Sequence, residues 1–276
     1  MGRGSILSSL GAVAMFVGMA GPASAAGSAG GPVSTPATAG SSGLYLTPAL
    51  RSGARLDTIF SKAIAITGAD FDPLVRRVSG TASYEVTAVA PDAITVRGDY
   101  LYDGRPGGTG TVTMRNSGAT DCDARNRCTT NDSTSAPTFD SLLWGPVPGD
   151  IAVGSTWRLK VKTSWEIGPP GEEEVSVVRR DPGLGLVTLA RKGSGTGMSS
   201  DDAALNTFTV VSHGRAVKVR LRPGAATWHG RATFIHGVTI ADEIMLTRSV
   251  ELVSDSGRVF RGNERIYTLF TEADLP

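Results

Sequence analysis

Thr156-Trp157-Arg158-Leu159-Lys160-Val161-Lys162-Thr163-Ser164-Trp165-Glu166-Ile167 decides the fold class. Its odd positions carry Trp157, Leu159, Val161, Thr163, Trp165 and Ile167, and its even positions carry Arg158, Lys160, Lys162, Ser164 and Glu166. Successive side chains of an extended chain point to opposite faces, so a period of two with this polarity is a strand with one face buried and one wet. Residues 216–222 repeat the design, with Val217, Val219 and Leu221 on one side and Lys218, Arg220 and Arg222 on the other. The same alternation runs through 56–67, 81–89, 93–102, 110–116, 174–180, 186–192, 227–236, 238–253 and 258–271.

Between these runs stand short turn-forming clusters. Pro91-Asp92, Asp103-Gly104-Arg105-Pro106-Gly107-Gly108, Gly168-Pro169-Pro170-Gly171, Asp181-Pro182-Gly183 and Asp255-Ser256-Gly257 each separate two alternating runs. Glycine supplies positive φ and proline presets φ, so these read as hairpin connections. Sequential hairpins place neighbours antiparallel, which predicts about ten strands in a meander. The expected class is all-β, an antiparallel meander forming an open or closed barrel or a curved sandwich. Residues 70–78 and 199–205 are each expected to give a helical turn or two, with Asp201-Asp202 suited to a helix N-terminus.

The N-terminus points to export. Arg3 is followed by an uncharged, apolar or small stretch from Ile6 to Ala20, then Pro22 and the small-x-small tripeptide Ala23-Ser24-Ala25. That is the plan of a cleaved signal peptide over 1–25. The apolar core falls short of the roughly 20 residues a membrane-crossing helix needs, and no later segment is apolar enough. Residues 26–43 are Gly, Ser, Ala, Thr and Pro around Val33, a composition too poor in apolar surface to offset its ordering entropy. They read as a disordered linker. The all-β domain then occupies 44–276, with a subdomain break or a long covering loop near 117–155. The expected location is periplasmic or secreted.

Composition narrows the partners. The chain carries 27 Lys+Arg against 26 Asp+Glu, and loss of Arg3 leaves the two equal. A neutral chain has no long-range field to draw it to nucleic acid. Cys122 and Cys128, close together in an exported chain, read as a disulfide rather than a redox or metal pair, since neither Cys-x-x-Cys spacing nor further ligands accompany them.

No catalytic motif is present. Gly-x-Ser-x-Gly does not occur, and Gly193-Ser194-Gly195-Thr196-Gly197 fails the dinucleotide fingerprint at Met198 and lacks a surrounding βαβ unit. Calcium-loop spacing from Asp121 breaks at Arg125 and Asn126. His213, His229 and His236 are close in sequence, but His229 and His236 are an odd number of residues apart and face opposite ways on one strand. No metal and no cofactor is implied.

Charges intruding into apolar faces are the informative anomaly. Asp242 and Arg248 interrupt Val238, Ile240, Ile244, Leu246, Val250 and Leu252. Lys62 interrupts Phe60, Ile64 and Ile66, and Glu264 interrupts Phe260, Ile266 and Phe270. An unpaired buried charge costs several kcal/mol, so either a bulge shifts the register, or the charges pair, or they line a ligand pocket. Lys62, Asp242, Arg248 and Glu264 are therefore the candidate ligand-binding residues, with Glu264 a candidate partner for Arg248 and Lys62 for Asp242. Asp242 with Glu264 also allows a paired-carboxylate reading. The basic faces of 158–162 and 218–222 would merge into one positive surface if those strands paired.

The segment Gly149-Asp150-Ile151-Ala152-Val153-Gly154-Ser155-Thr156-Trp157 resembles the Val-Gly-Asp-Thr-Trp lead-in of bacterial envelope β domains in the style of the open-barrel lipoprotein carriers. The likeness covers 151–195, departs from the pattern with Ser155, and lacks a lipid-anchor cysteine. It implies a curved antiparallel sheet with an apolar cavity. The functional expectation is an exported envelope protein binding an apolar or amphipathic ligand in a β cavity, the alternative being a secreted hydrolase or lyase acting on a polymer.

Overall fold

The computed structural model describes residues 50–90, 93–115, 127–129, 152–161, 164–165, 167–198 and 206–272. Residues 1–49, among them the expected signal peptide and linker, lie outside them, as do Cys122, most of 117–155, and 199–205. Twelve strands follow in order: β1 (Arg55–Gly68), β2 (Phe71–Ala90), β3 (Ala93–Tyr102), β4 (Arg105–Arg115), β5 (Arg127–Thr129), β6 (Thr156–Val161), β7 (Gly171–Asp181), β8 (Leu186–Gly195), β9 (Thr207–Ser212), β10 (Arg215–Ile235), β11 (Val238–Ser254) and β12 (Val259–Glu272). There is no helix among the described residues. Residues 70–78, expected to turn helically, instead open β2: Phe71 and Leu74 face inward opposite Gly68 and Ile66 of β1, and this pairing overrides the local pattern.

The strands form one sheet in the order β4-β3-β2-β1-β12-β11-β10-β8-β7-β6-β5, with β9 paired to β10 beside this path. The path does not close, so the open form of the expected architectures is the one adopted. All pairs are antiparallel except β5 with β6. Within the deciding stretch 156–167, Thr156–Val161 forms strand β6. Beyond it the backbones of Trp165 and Gly168 exchange hydrogen bonds at 3.0 and 3.2 Å, which turns the chain back. Ile167 is buried all the same.

Two local devices shape the sheet. Three two-residue hairpins, Asp103-Gly104, His213-Gly214 and His236-Gly237, have positive φ at both positions, the backbone of a type I′ turn. Two of the three histidines are thus turn residues. The second device divides β10: residues 215–220 pair with β9, whereas 226–235 pair with β8. The break falls at Pro223-Gly224, where pairing with β11 also slips. Proline has no N–H to donate, so a ladder interrupted there loses least.

One face of the sheet, the inner face, holds the buried side chains. Around the first half of β10, Phe208, Val210, Val219, Leu221, Val250, Leu252 and Phe260 pack with Ile66 and Phe71. Burying each large side chain is worth about 1.5–3 kcal/mol. The start of β2 and β9 close over this cluster without pairing as strands: Arg76 lies 4.9 Å above the Phe208 ring, and the Ser212 hydroxyl donates to the Asp70 carbonyl at 2.7 Å. A second cluster joins Leu56, Ala82, Tyr84 and Val96 to Val238 beside the β10–β11 hairpin. A third lies between them, built on Trp228, Ile244, Leu246, Ile266 and Ile167.

Candidate functional site

The intruding charges point inward. The register slip in β11 lies between Thr239 and Ala241, so Asp242, Ile244, Leu246, Arg248, Val250 and Leu252 share the inner face. Arg248 and Glu264 stand directly opposite on β11 and β12, both buried, and the Arg248 Nε donates to the Glu264 carboxylate. Asp242 takes an arginine as its partner. It accepts from Arg191 of β8, whose Nη2 lies 3.0 and 2.9 Å from its two oxygens. These strands are separated by β10, and the residue of β10 opposite Arg191 is Gly230. The guanidinium reaches across β10, and a Cβ at Gly230 would come within 2.2 Å of the Glu243 carbonyl of β11.

The same solution recurs one strand over. Trp228 on β10 donates its indole N–H to Glu173 of β7 at 2.6 Å, with β8 between them. The residue of β8 in that row is Gly193, where a Cβ would come within 2.3 Å of the Trp228 ring. The segment after β6 covers this group. Trp165 meets Trp228 edge-on at 5.5 Å, donates to the Pro169 carbonyl at 3.1 Å, and lies 5.8 Å from the Arg191 guanidinium. Glu173 is buried and its second oxygen, Oε1, has no hydrogen-bond partner among the described residues. Burial pushes its carboxyl above the usual carboxylate range; Arg191 and the Trp228 hydrogen bond oppose this, and Asp242 adds to it.

Of the sequence-derived site residues, then, Arg248 and Glu264 are brought together, Asp242 is joined to Arg191, and Lys62 lies on β1, between Val78 and Thr268. Asp242 faces Phe270 on β12, six residues beyond Glu264. That places the two carboxylates about 20 Å apart along the sheet, against roughly 5–9.5 Å in paired-carboxylate glycosidases. Each also carries an arginine. This geometry offers no acid–base pair.

Lys62 belongs to a different environment. It lies half-buried between Val78 of β2 and Thr268 of β12. Along the same strip Phe60, Ile64, Val78 and Tyr102 are also half-buried, while Ile266, Phe270 and Ile244 at its border are buried. Phe60 meets Tyr102 edge-on at 5.4 Å, and Tyr102 runs parallel to Tyr100 at 6.5 Å. The strip is apolar and aromatic with one cation in it.

Sequence reasoning missed Arg191, Glu173, Trp165 and Trp228 as a group. For Glu173 a signal existed: it shares strand parity with Val175 and Val177, which face inward. The basic faces of β6 and β10 do not merge, because β7 and β8 stand between them. The expected Cys122–Cys128 bridge falls outside the described residues; Cys128 is described only as backbone of β5. His229 is exposed on the outer face, and no group of three or more metal-ligating side chains occurs among the described residues. No described helix is long and apolar enough to cross a membrane.

No family model and no curated protein matches the chain. Among solved structures, a Thermobifida fusca protein classed as a thioesterase II is similar at 12% identity and TM-score 0.17, over 79% of this chain and 80% of that one. The Salmonella typhi OmpF complex with daunomycin is similar at 7% identity and TM-score 0.19, over 80% and 98%. A hot dog fold protein of Alicyclobacillus acidocaldarius follows at 10% identity and TM-score 0.15, over 84% and 83%. Likenesses at these scores carry no argument about function.

Proposed function

We propose that this chain is an exported, non-enzymatic envelope protein that binds an amphipathic ligand on the inner face of its sheet. The observation that carries this reading is the half-covered strip of Phe60, Lys62, Ile64, Val78 and Tyr102, bordered by fully buried side chains. Covering an exposed apolar strip releases its water, at about 25 cal/mol per Å² buried. Lys62 supplies a cation for an anionic headgroup, so a single-chain carboxylate fits the strip. The signal-peptide plan of 1–25 supports a location outside the cytosol, in the periplasm or beyond. The resemblance of 151–195 to envelope carrier domains agrees with a carrier of this kind. The arginine-neutralised carboxylates Asp242 and Glu264 weigh against a hydrolase or lyase.

Dodecanoate is a suitable probe, with tryptophan fluorescence as the readout, since Trp165 packs in the same cluster as Ile64. Titration should give a saturable change that Ile64→Asp abolishes. Lys62→Met should weaken dodecanoate about tenfold while leaving dodecanol unchanged, the loss of one charge-assisted contact. A response that survives Ile64→Asp, or equal losses for the acid and the alcohol, would contradict this reading.

A further inference from the structure

The outer face, which no ligand strip uses, divides sharply by charge. On the β6–β8 wing a central row of charges is matched. Arg158, Glu174 and Lys192 lie in one register row, with Glu174 3.8 Å from Arg158 and 2.7 Å from Lys192. Arg231 stands opposite Glu243 in the same manner. On the outer face of β10–β12 toward β9 the match fails. Lys218, Arg220 and Arg222 follow one another on that side of β10, all exposed, and Arg261 and Arg265 project from β12. Glu251, in the row between Arg222 and Arg261, is the single acidic strand residue there among the described residues. The β11–β12 turn adds one charge of each sign, Asp255 and Arg258.

Aliphatic side chains are interleaved with these cations. Val253 and Val259 complete the row begun by Arg220, and Val211 projects from β9 opposite Ala216, four residues from Arg220 along β10. Val259 is 45% and Val211 39% exposed, on a face where the alternating pattern wants polar residues. Alternate residues on a strand are about 7 Å apart and neighbouring strands about 4.8 Å. Cations and valines therefore share one patch a few strands wide.

We propose that this outer face of β9–β12 docks onto an anionic lipid surface. The cations alone would suit any polyanion. The valines decide between them, because a phosphate polymer in water offers nothing apolar for Val253 and Val259 to enter, whereas the headgroup–acyl boundary of a bilayer does. Each Lys or Arg held near an anionic leaflet strengthens partition about fivefold. The chain carries a formal net charge of only +1, so the attraction is local to this patch, and the matched row of the β6–β8 wing contributes none of it. The proposal concerns a different face from the amphiphile strip and stands whether or not that strip binds.

The test is co-sedimentation of the full chain with vesicles of phosphatidylcholine containing phosphatidylglycerol, and with pure phosphatidylcholine. The ratio of the two partition coefficients is the readout, since the apolar stretch from Ile6 to Ala20 would enter both. The expected result is a ratio well above one that collapses in 1 M salt, where the screening length shrinks to about 3 Å. Arg220→Ser with Arg222→Ser should lower it roughly twentyfold. Arg158→Ser with Lys192→Ser, from the matched row, should leave it unchanged. Val259→Ser should weaken binding to the anionic vesicles several-fold at constant charge. A ratio of one, or equal losses from the two double variants, overturns the proposal. So does a silent Val259→Ser together with binding of sodium polyphosphate as tight as that of the vesicles, which would assign the face to a soluble polyanion.

Discussion

The two halves of β10 show two ways of filling the same inner face. The first half, up to Pro223, presents Val219 and Leu221 to an apolar cluster of Phe208, Leu252 and Phe260. The second half presents Trp228, Gly230 and Ala232 to a region threaded with Arg191, Asp242 and Glu173. In the apolar half each side chain stabilises through the area it removes from water, and neighbours substitute for one another within limits. In the polar half no charge tolerates the loss of its partner. Gly193 helps make the difference possible, since it vacates the strand that the Trp228 side chain must cross. A charge on an apolar face is thus first a question about its partner and only then a question about a ligand.

The largest effect should come from breaking the most buried pair. Glu264→Ala leaves Arg248 charged and enclosed, and urea unfolding should show a loss of about 3–5 kcal/mol. Arg248→Met combined with Glu264→Leu should recover most of it, because the aliphatic pair needs no partner. If the double variant is no better than the single, the pair is not the unit of stability.

Leu252→Ala, in the apolar half, should cost about 2–5 kcal/mol by leaving a cavity. Its cost should be insensitive to pH, which distinguishes it from changes across the divide. Gly193→Ala comes next. The new methyl meets the Trp228 ring, so overpacking of about 1–3 kcal/mol is expected, with a change in the near-ultraviolet circular dichroism of the tryptophans. An unchanged tryptophan signal would show that the indole does not cross at Gly193.

Glu173→Gln should have the smallest effect and the most specific pH signature. The Glu173 carboxyl titrates above its ordinary range when folded, so the folded state holds the proton that the unfolded chain releases. Stability is then fully present below the unfolded value and falls as pH rises through the folded one. Glutamine keeps an acceptor for the Trp228 N–H and removes the titration. The variant should match the parent in acid and exceed it increasingly as pH rises above the ordinary carboxylate range. Parallel stability curves across that range would remove Glu173 from the account.

Much of this was legible in the residues and some was not. Period-two alternation carried the all-β class because each strand has one wet face. Arg248 with Glu264 was readable too, since both are equidistant from Ser256 in the turn that joins their strands. Arg191 with Asp242 was not, because the pair skips a strand and no hairpin fixes its register. The break in β10 was hidden for a related reason: 216–222 and 227–236 look like two strands, and only the third partner, β11, runs continuously beside both. His213 and His236 resembled ligands in sequence because histidine is uncommon in type I′ turns, where asparagine is the usual signal.

Backbone amide and side-chain chemical-shift mapping during a dodecanoate titration tests the central distinction between paired charges and the open strip. The account predicts shifts centred on Phe60, Lys62, Ile64, Val78 and Tyr102, with Arg248, Glu264, Arg191 and Asp242 unmoved. Shifts centred on Glu173, Arg191 and Asp242 instead would show that the buried charges are the binding site and the strip is not.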